Sequence, residues 1–394
     1  MLELSKHPNL KYILFGNIYF ANGVQGSFLF ILILYFTELD ISIATATLVG
    51  GIASIPFTFK FIFGPVTDYF IKIGRKPFII IGALTAGISF LPLSIIDPTD
   101  SLIVFTSIFF VGIIGIVILD VCADAWAIQV TDKHEHGKIN AAMFGSMFGG
   151  MAISSIFLTQ IAEFYGFNLV FVVAGFIILL TLVLPLLVKE EIIVEKRPKT
   201  AKLIIQEFKK KNTITIALFS FLAAMNFGML LFIIPEYMMN FLKLGVSHIG
   251  LITSLYPIGI VIGSVLGGII SDIWGRKKTL GAFLIASMLF SPLILFANNW
   301  VIMAFYYPMI GLLQGGATFS ALMALFMDIT NPKIGASQFS ILTSITNFGD
   351  YSIAILSGSL LMILGYERFF LYAAWLVAPA LLVLYFVEEK WVKK

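Results

Sequence analysis

Twelve long apolar runs constrain the fold of this chain more than any other feature. They cover about 12–36, 44–66, 78–96, 101–126, 139–162, 169–188, 213–241, 246–270, 280–297, 301–327, 337–362 and 369–388. A helix needs roughly 20 residues to cross a bilayer, and continuous runs favour helices over alternating barrel strands. With 59% hydrophobic and 12% charged residues, a water-soluble fold could not bury these runs. The sequence therefore predicts an all-α polytopic membrane protein with twelve transmembrane helices.

A short polar hairpin after the second run returns after the eighth run. Gly64, Asp68, Gly74, Arg75 and Lys76 of the first copy correspond to Gly268, Asp272, Gly275, Arg276 and Lys277 of the second. The offset is 204 at the first two positions and 201 at the other three, and Asn22 and Asn226 also stand 204 apart. Six identical pairs on two offsets indicate an internal repeat, here of two six-helix bundles related by pseudo-twofold symmetry.

The longest polar segment lies between the sixth and seventh runs and is rich in lysine. It predicts an N-terminal six-helix bundle over 1–188, a cytoplasmic linker over 189–211 and a C-terminal six-helix bundle over 212–394. With the N-terminus inside, 22 of the 25 cationic residues face the cytoplasm; Lys243 and Arg368 lie outside, and Lys60 lies within a run. The positive-inside rule therefore predicts N- and C-termini in the cytoplasm and insertion in the cytoplasmic membrane. The first run is too long for a signal-peptide core, so we expect it to be retained.

Two six-helix halves with a G-x-x-x-D…G-R-K hairpin after the second and eighth runs resemble the major facilitator superfamily (MFS). Two further segments, Asp120-Val-Cys-Ala-Asp124-Ala-Trp126 and Ala336-Ser-Gln338-Phe339, are similar to its muropeptide permease (AmpG-type) branch, whose relatives are folate–biopterin and acetyl-coenzyme A transporters. The resemblance implies two three-plus-three inverted repeats and a central cavity that opens alternately to each side of the membrane.

The resemblance also implies a gating role for the two hairpins. Asp68 would face the start of the eleventh helix near Ser337, and Asp272 the start of the fifth helix near Asn140, where a carboxylate binds free N–H groups. Such contacts would favour the outward-facing state. Two alternatives stay open. The aspartates could be ordinary loop charges, and the basic residues Arg75, Lys76, Arg276 and Lys277 could simply anchor the topology.

Four charged residues form the predicted substrate and proton pathway: Lys60, Asp120, Asp124 and Asp350. A charge at the centre of a span costs roughly 2.5–3.5 kcal/mol on insertion scales. Lys60 and Asp350 lie at depths that a lysine stem can bridge, so we expect them to pair in one state. Asp120 and Asp124 are one helical turn apart and resist double ionisation, which indicates a proton site. The alternatives are a lysine that extends to the interface, a purely structural pair, and packed or interfacial aspartates.

Uncharged polar residues extend this predicted pathway. They are Asn22, Gln25, Asn226 and Gln314, on spans that line the cavity in the family. Hydrogen bonds to a substrate and hydrogen bonds between helices explain them equally well. Glu236 is expected to be a solvated charge near the outer face. A stripe of small residues, Gly259, Gly263 and Gly267, predicts close helix packing in the eighth span.

The remaining features exclude several function classes. Nothing in the sequence offers a nucleophile with its base or a phosphate-binding loop, so we expect no enzyme and no ATP-driven pump. One cysteine, a net charge of +3 and the polar segment around His134 and His136 give no argument for a metal site or for nucleic-acid binding. We expect a monomeric secondary active transporter for a small anionic or zwitterionic solute, without a cofactor and driven by the proton gradient. An uncoupled facilitator and a non-transporting receptor or scaffold are the alternatives.

Overall fold

The computed structural model describes residues 2–4, 7, 9–131, 135–192, 200–331 and 334–389; the side chains of 64, 65, 67–69, 71, 136, 137, 200, 201, 335 and 336 lie outside this description. Within these ranges, eleven helical stretches are long and apolar enough to cross a membrane. The last stretch, Ser337–Tyr385, contains Gly365 with a non-helical backbone (φ 70°, ψ 167°), so it holds two of the predicted spans. The all-α polytopic fold predicted from the sequence is confirmed.

The secondary structure is almost entirely helical. In chain order the elements are β1 (Leu2–Glu3), α1 (Leu10–Glu38), α2 (Ile43–Thr58), α3 (Lys60–Tyr69), α4 (Lys76–Leu93), α5 (Leu102–Val130), α6 (His136–Tyr165), α7 (Phe167–Leu180), α8 (Val183–Leu187), β2 (Val188–Lys189), α9 (Thr200–Glu207), α10 (Lys211–Leu231), α11 (Ile233–Glu236), α12 (Val246–Trp274), α13 (Arg276–Phe290), α14 (Trp300–Gln314), α15 (Met323–Ile329), α16 (Gly335–Trp375) and α17 (Val377–Tyr385). Two π-helical segments, Tyr237–Phe241 and Gly315–Leu322, continue α11 and α14.

One of the predicted spans is interrupted near its middle. Pro56 lies inside α2, and Phe59 separates α2 from α3. A proline cannot donate a backbone hydrogen bond and commonly kinks a helix. The interruption makes Lys60 the first residue of α3, so the one cationic residue predicted within a run lies at a helix break.

The contacts divide the chain into two compact units. Unit 1 comprises Met1–Leu39, Ile52–Lys196 and Gly245–Ser254, and unit 2 comprises Asp40–Gly51, Arg197–Leu244 and Leu255–Lys394. The helices α2 and α12, which are repeat counterparts, each contribute residues to both units. In unit 2, for example, Thr47 of α2 accepts a hydrogen bond from the backbone N–H of Gly358 at 3.2 Å.

Unit 1 is built around α1, which packs against α5, α6 and α7. Its core contains a cluster of phenylalanines around Phe28, whose ring lies 4.8 Å from Phe90, 5.0 Å from Phe171 and 5.7 Å from Phe109. These side chains are fully buried. The aromatic core fixes the rotation of α1, so Tyr19 and Asn22 of α1 face α5.

Unit 2 is organised around α10, which packs against α16 and α17. An aromatic cluster lies at the end of α11, where Tyr237 contacts Phe241, Tyr366 and Phe370 at ring distances of 4.8–5.5 Å. Glu236 lies beside this cluster and is only 5% exposed. Its carboxylate accepts hydrogen bonds from Tyr366 at 2.8 Å and from Asn240 at 3.0 Å. The prediction that Glu236 is a solvated charge is therefore wrong: hydroxyl and amide donors satisfy the carboxylate inside the unit.

Candidate functional site

A polar cluster inside unit 1 joins three helices. Asp120 of α5 accepts a hydrogen bond from Asn22 of α1 at 2.9 Å, and its second oxygen lies 4.0 Å from the ammonium group of Lys60 on α3. One turn further along α5, Asp124 accepts a hydrogen bond from the hydroxyl group of Tyr19. We call these five residues the unit 1 cluster.

Helix geometry explains why these side chains meet. Residues three or four apart lie on one face of a helix, which places Tyr19 beside Asn22 and Asp120 beside Asp124. The hydrogen-bond donors on the α1 face therefore lie opposite the carboxylate acceptors on the α5 face. The sequence predicts the pair of aspartates and Asn22, but Tyr19 was missed, because a tyrosine in an apolar run is more often a packing residue.

The unit 1 cluster is largely buried, so its charged groups need partners. Tyr19 is 2% exposed and Asp120 is 9% exposed, whereas Asp124 is partly exposed. Charges in such surroundings are unfavourable unless they are paired and hydrogen-bonded. The ammonium group of Lys60 supplies the positive charge that Asp120 needs. The predicted pair of Lys60 with Asp350 joins two units and stays a prediction.

Two amide groups on α1 keep unused hydrogen-bonding capacity. Among the described residues, Asn22 Oδ1 and Gln25 Nε2 are buried without a hydrogen-bond partner. One is an acceptor and the other a donor. A buried polar group without a partner costs about 1–3 kcal/mol, so these atoms can gain stability from a ligand.

A second polar cluster lies inside unit 2. Tyr256 of α12 donates a hydrogen bond to the Gln314 amide oxygen on α14, and its ring stacks on Tyr307 at 4.9 Å. Asp350 of α16 interacts electrostatically with Tyr256, and its Oδ1 atom is buried without a hydrogen-bond partner among the described residues. Gly228 of α10 leaves room for Asp350, since a Cβ atom there would lie 2.5 Å from Oδ1.

The glycine stripe of α12 positions Tyr256 against Gln314. A Cβ atom on Gly259 or Gly263 would lie about 2 Å from the backbone oxygen of Pro308 or Leu312 on α14. Only glycine permits such close contact between two helix backbones. The stripe therefore fixes the α12–α14 pair within unit 2.

Asn226, the repeat counterpart of Asn22, is fully buried and has its polar atoms satisfied. Its amide group donates to the backbone oxygen of Ala373 at 2.8 Å, and its oxygen accepts from Ser287 at 2.6 Å. Of the two interpretations left open by the sequence, this arrangement favours hydrogen bonding between helices. The two copies of the repeat have thus diverged at this position.

The two hairpins share one structural feature that was not predicted from the sequence. Gly74 and Gly275 have φ values of 88° and 93°, which glycine adopts readily and other residues rarely do. Glu190 binds the backbone N–H groups of Arg75 at 2.5 Å and Lys76 at 2.8 Å. Glu389 binds the backbone N–H groups of the equivalent Arg276 and Lys277 at 2.5 and 3.1 Å.

Each of these carboxylates caps the free N–H groups at the start of a helix, α4 or α13. The signal for them was present in the sequence as a third offset. Val188 and Glu190 precede Val387 and Glu389 by 199 residues. We call Glu190 and Glu389 the capping glutamates.

The charged side chains of the hairpins have local partners. The Arg276 guanidinium binds Asp272 at 2.6 Å and Asp328 at 3.2 Å. Lys76 and Lys277 each donate to two backbone oxygens near the end of the sixth or the last span. Burial lowers the pKa of the Arg75 guanidinium, while Cys122 and Glu190 oppose that change. The side chain of Asp68 and the surroundings of Gly64 lie outside the described part of the structure. The contacts predicted for Asp68 and Asp272 with other helices stay predictions.

A metal site finds no support in the part of the chain that the structure describes, where no group of three or more metal-ligating side chains occurs. His134 lies outside the described residues.

The family model of the Major Facilitator Superfamily matches this chain twice, over residues 14–220 and 216–394. The chain belongs to the Major Facilitator Superfamily. The double match covers nearly the whole chain and agrees with the repeat read from the two hairpins. The protein is therefore an integral, multi-pass membrane protein of a transporter family.

Curated relatives of this MFS protein carry the name of a transporter, AmpG. AmpG 4 of Rickettsia conorii is 26% identical over 392 residues, covering 91% of this chain and 92% of the relative. AmpG 1 of Rickettsia bellii is 23% identical over 371 residues, covering 86% and 89%. These similarities confirm the resemblance to the AmpG-type branch.

Solved structures share the MFS fold at low sequence identity. A mutant of the nucleoside transporter NupG has a TM-score of 0.79 and 14% identity, covering 97% of this chain and 100% of that structure. A D-xylose–proton symporter has a TM-score of 0.75 and 15% identity, covering 97% and 96%. At such identities the likeness concerns the fold alone.

Proposed function

We propose that this MFS protein is a secondary active transporter that moves a small polar solute by alternating access and couples this movement to protons. The observation that carries the proposal is the unit 1 cluster, in which Lys60, Asp120 and Asp124 lie together inside a membrane-spanning bundle. Charged groups are costly there and mark substrate or proton pathways in membrane proteins. An idle scaffold would gain nothing from retaining them.

The chemistry of the unit 1 cluster supports a solute with charged and hydrogen-bonding groups. Lys60 can bind an anionic group, while Asn22 Oδ1 can accept a hydrogen bond from a donor on the solute. Taken by itself, unit 2 offers a hydrogen-bond acceptor in Asp350 Oδ1 and an apolar surface in the stacked rings of Tyr256 and Tyr307. The unit 1 groups suit an anionic or zwitterionic solute better than an apolar one. The AmpG-named relatives and the proton symporter that shares the fold are compatible with this function.

The function is tested first by identifying the solute. Purified protein is screened by thermal shift against muropeptides, pterins, nucleotides and organic acids. A solute that binds the native state raises the unfolding temperature, and the rise increases with its concentration. We expect one of these classes to stabilise the wild type and to stabilise Asp120→Asn less.

The stabilising compound is then labelled and offered to vesicles that contain the protein. Uptake into the vesicle lumen supports transport. Binding without uptake, by protein shown to be folded in the same vesicles, contradicts the proposal and favours a receptor on the same fold. Vesicles without protein are the control.

A further inference from the structure

The two carboxylates of the unit 1 cluster have partners of different charge. Asp120 lies 4.0 Å from the Lys60 ammonium group and accepts a hydrogen bond from Asn22 at 2.9 Å. Asp124 accepts its hydrogen bond from Tyr19, a neutral phenol. A nearby cation stabilises an ionised carboxylate, and a phenol contributes no charge. The ion pair with Lys60 therefore compensates the charge of Asp120, whereas the hydrogen-bond donor of Asp124 is neutral.

The spacing of the two residues extends this argument. Asp120 and Asp124 are one helical turn apart, and two carboxylates so close share one negative charge more easily than two. Because Lys60 forms its ion pair with Asp120, the proton of the pair belongs on Asp124. We infer that Asp124 is the residue that carries the coupling proton in unit 1 and that Tyr19 is its positioning residue. This inference rests on the proposed function and assigns the coupling proton to one carboxyl group, that of Asp124.

The other groups around Asp124 agree with this role. The charged and titratable groups that act on it are Tyr19 from α1, Lys60 from α3 and Asp120 from α5 itself. Lys60 acts on both carboxylates, but the ion pair it forms is with Asp120.

Tyr19 is held in place by burial and by packing against α6. Its ring is 2% exposed and contacts Phe144 of α6 edge-to-face at 5.8 Å. Its hydroxyl group donates to Asp124 and also acts electrostatically on Asp120. A rigid phenol between two carboxylates stabilises the ionised form of the one it binds. Tyr19 therefore adjusts how tightly Asp124 holds its proton without exchanging the proton itself.

Infrared spectroscopy tests the assignment without knowledge of the solute. The full chain is reconstituted in phosphatidylethanolamine–phosphatidylglycerol vesicles, and the stretching band of protonated carboxyl groups is recorded from acid to alkaline pH. In an Asp350→Asn background, which removes the buried carboxyl group of the second cluster, we expect a titrating band that disappears when Asp124→Asn is added and persists when Asp120→Asn is added. Asp124→Glu keeps the band at a shifted frequency and so guards against loss by misfolding.

Tyr19→Phe should change the midpoint of the carboxyl band, which a purely structural role of Tyr19 would leave unchanged. Loss of the phenol hydrogen bond destabilises the ionised carboxylate, so the midpoint should rise by about one pH unit, a tenfold change in proton affinity that corresponds to about 1.4 kcal/mol. Tyr12→Phe is the matched control. It removes a tyrosine–carboxylate hydrogen bond to Glu135 from the same helix and should leave the midpoint unchanged.

The inference is overturned if the band survives Asp124→Asn, if it vanishes in Asp120→Asn, if the protein without these substitutions has no such band, or if Tyr19→Phe leaves the midpoint in place. These failures are distinct from failure of the proposed function. Solute uptake that follows a pH gradient, combined with a band that belongs to another carboxyl group, refutes the assignment and leaves coupled transport intact.

Discussion

The Glu190 carboxylate accepts a hydrogen bond from the backbone N–H of Arg75 at 2.5 Å, at the start of α4. Glu389 makes the equivalent bond to Arg276 at the start of α13. The two capping glutamates come from the ends of the sixth and last spans, so each hairpin is tied to a helix end distant in sequence. In both copies the glycine before the arginine has a positive φ.

Removing either capping glutamate should destabilise its own unit. Glu190→Ala or Glu389→Ala leaves helix N–H groups without a charged acceptor, and we expect a loss of about 1–2 kcal/mol at these partly exposed sites. Unfolding in a denaturing detergent measures the change. Glu191→Ala, the neighbouring exposed glutamate, is the control; an equal loss there would contradict a specific cap.

The partner of Lys60 can be determined by a double-mutant cycle. Lys60→Met leaves the Asp120 charge buried and unpaired, and breaking a buried ion pair costs about 3–5 kcal/mol. Combining it with Asp120→Asn should restore most of the loss. Combining it with Asp350→Asn should not, as judged by the same unfolding assay. Restoration by Asp350→Asn instead would show that the pair predicted from the sequence dominates.

Stability at acid pH should depend on Glu207. Its carboxylate binds Lys210 at 2.5 Å and Asn331 at 2.8 Å, and these hydrogen bonds lower its pKa below the usual value. A lowered folded pKa means that the stabilisation is fully present above the unfolded value of about 4.3 and is lost as the pH falls towards the folded value.

The wild type should therefore be more stable than Glu207→Gln at neutral pH, with the difference shrinking below pH of about 4. Thermal unfolding of both proteins across the acid range measures it. Glu191→Gln should show no such convergence. A constant difference between wild type and Glu207→Gln at every pH would refute the role of the carboxylate charge.

The orientation predicted from the lysine distribution can be tested in cells. In a Cys122→Ser background, Lys243→Cys places a single thiol in the connection before α12, and Lys202→Cys places one in α9. A membrane-impermeant maleimide should label the first from outside and the second only after the membrane is permeabilised. Labelling of both from the same side would contradict the orientation.

Sequence reasoning could predict the features that follow from regular helix geometry. The apolar runs predict the spans, and the one-turn spacing predicts that Asp120 and Asp124 share a face. Lys60 is predicted because a charge in an apolar run must have a partner. The sequence could not predict the partners Tyr19 and Glu190, since partners depend on which helices pack together and both residues are far in sequence from the groups they bind.

The internal repeat helped to predict side-chain roles only where both copies kept the same side-chain partners. The offset of 204 identified Asn22 and Asn226, yet one binds a carboxylate and the other binds a backbone oxygen. The capping glutamates follow an offset of 199: the longer first hairpin accounts for the change from 204 to 201, and two further extra residues between Lys76 and Glu190 account for the rest. Glu236 was predicted to be a solvated charge because its hydrogen-bond donor Tyr366 is distant in sequence. Tyr366 lies towards the far end of α16.

The most direct test of the account follows the driving force. Vesicles containing the protein are offered the solute identified by thermal shift, with an imposed pH gradient or with the gradient collapsed by a protonophore. Proton-coupled transport predicts accumulation above the external concentration with the gradient, and simple equilibration without it. Equal uptake under both conditions would contradict the account and identify an uncoupled facilitator.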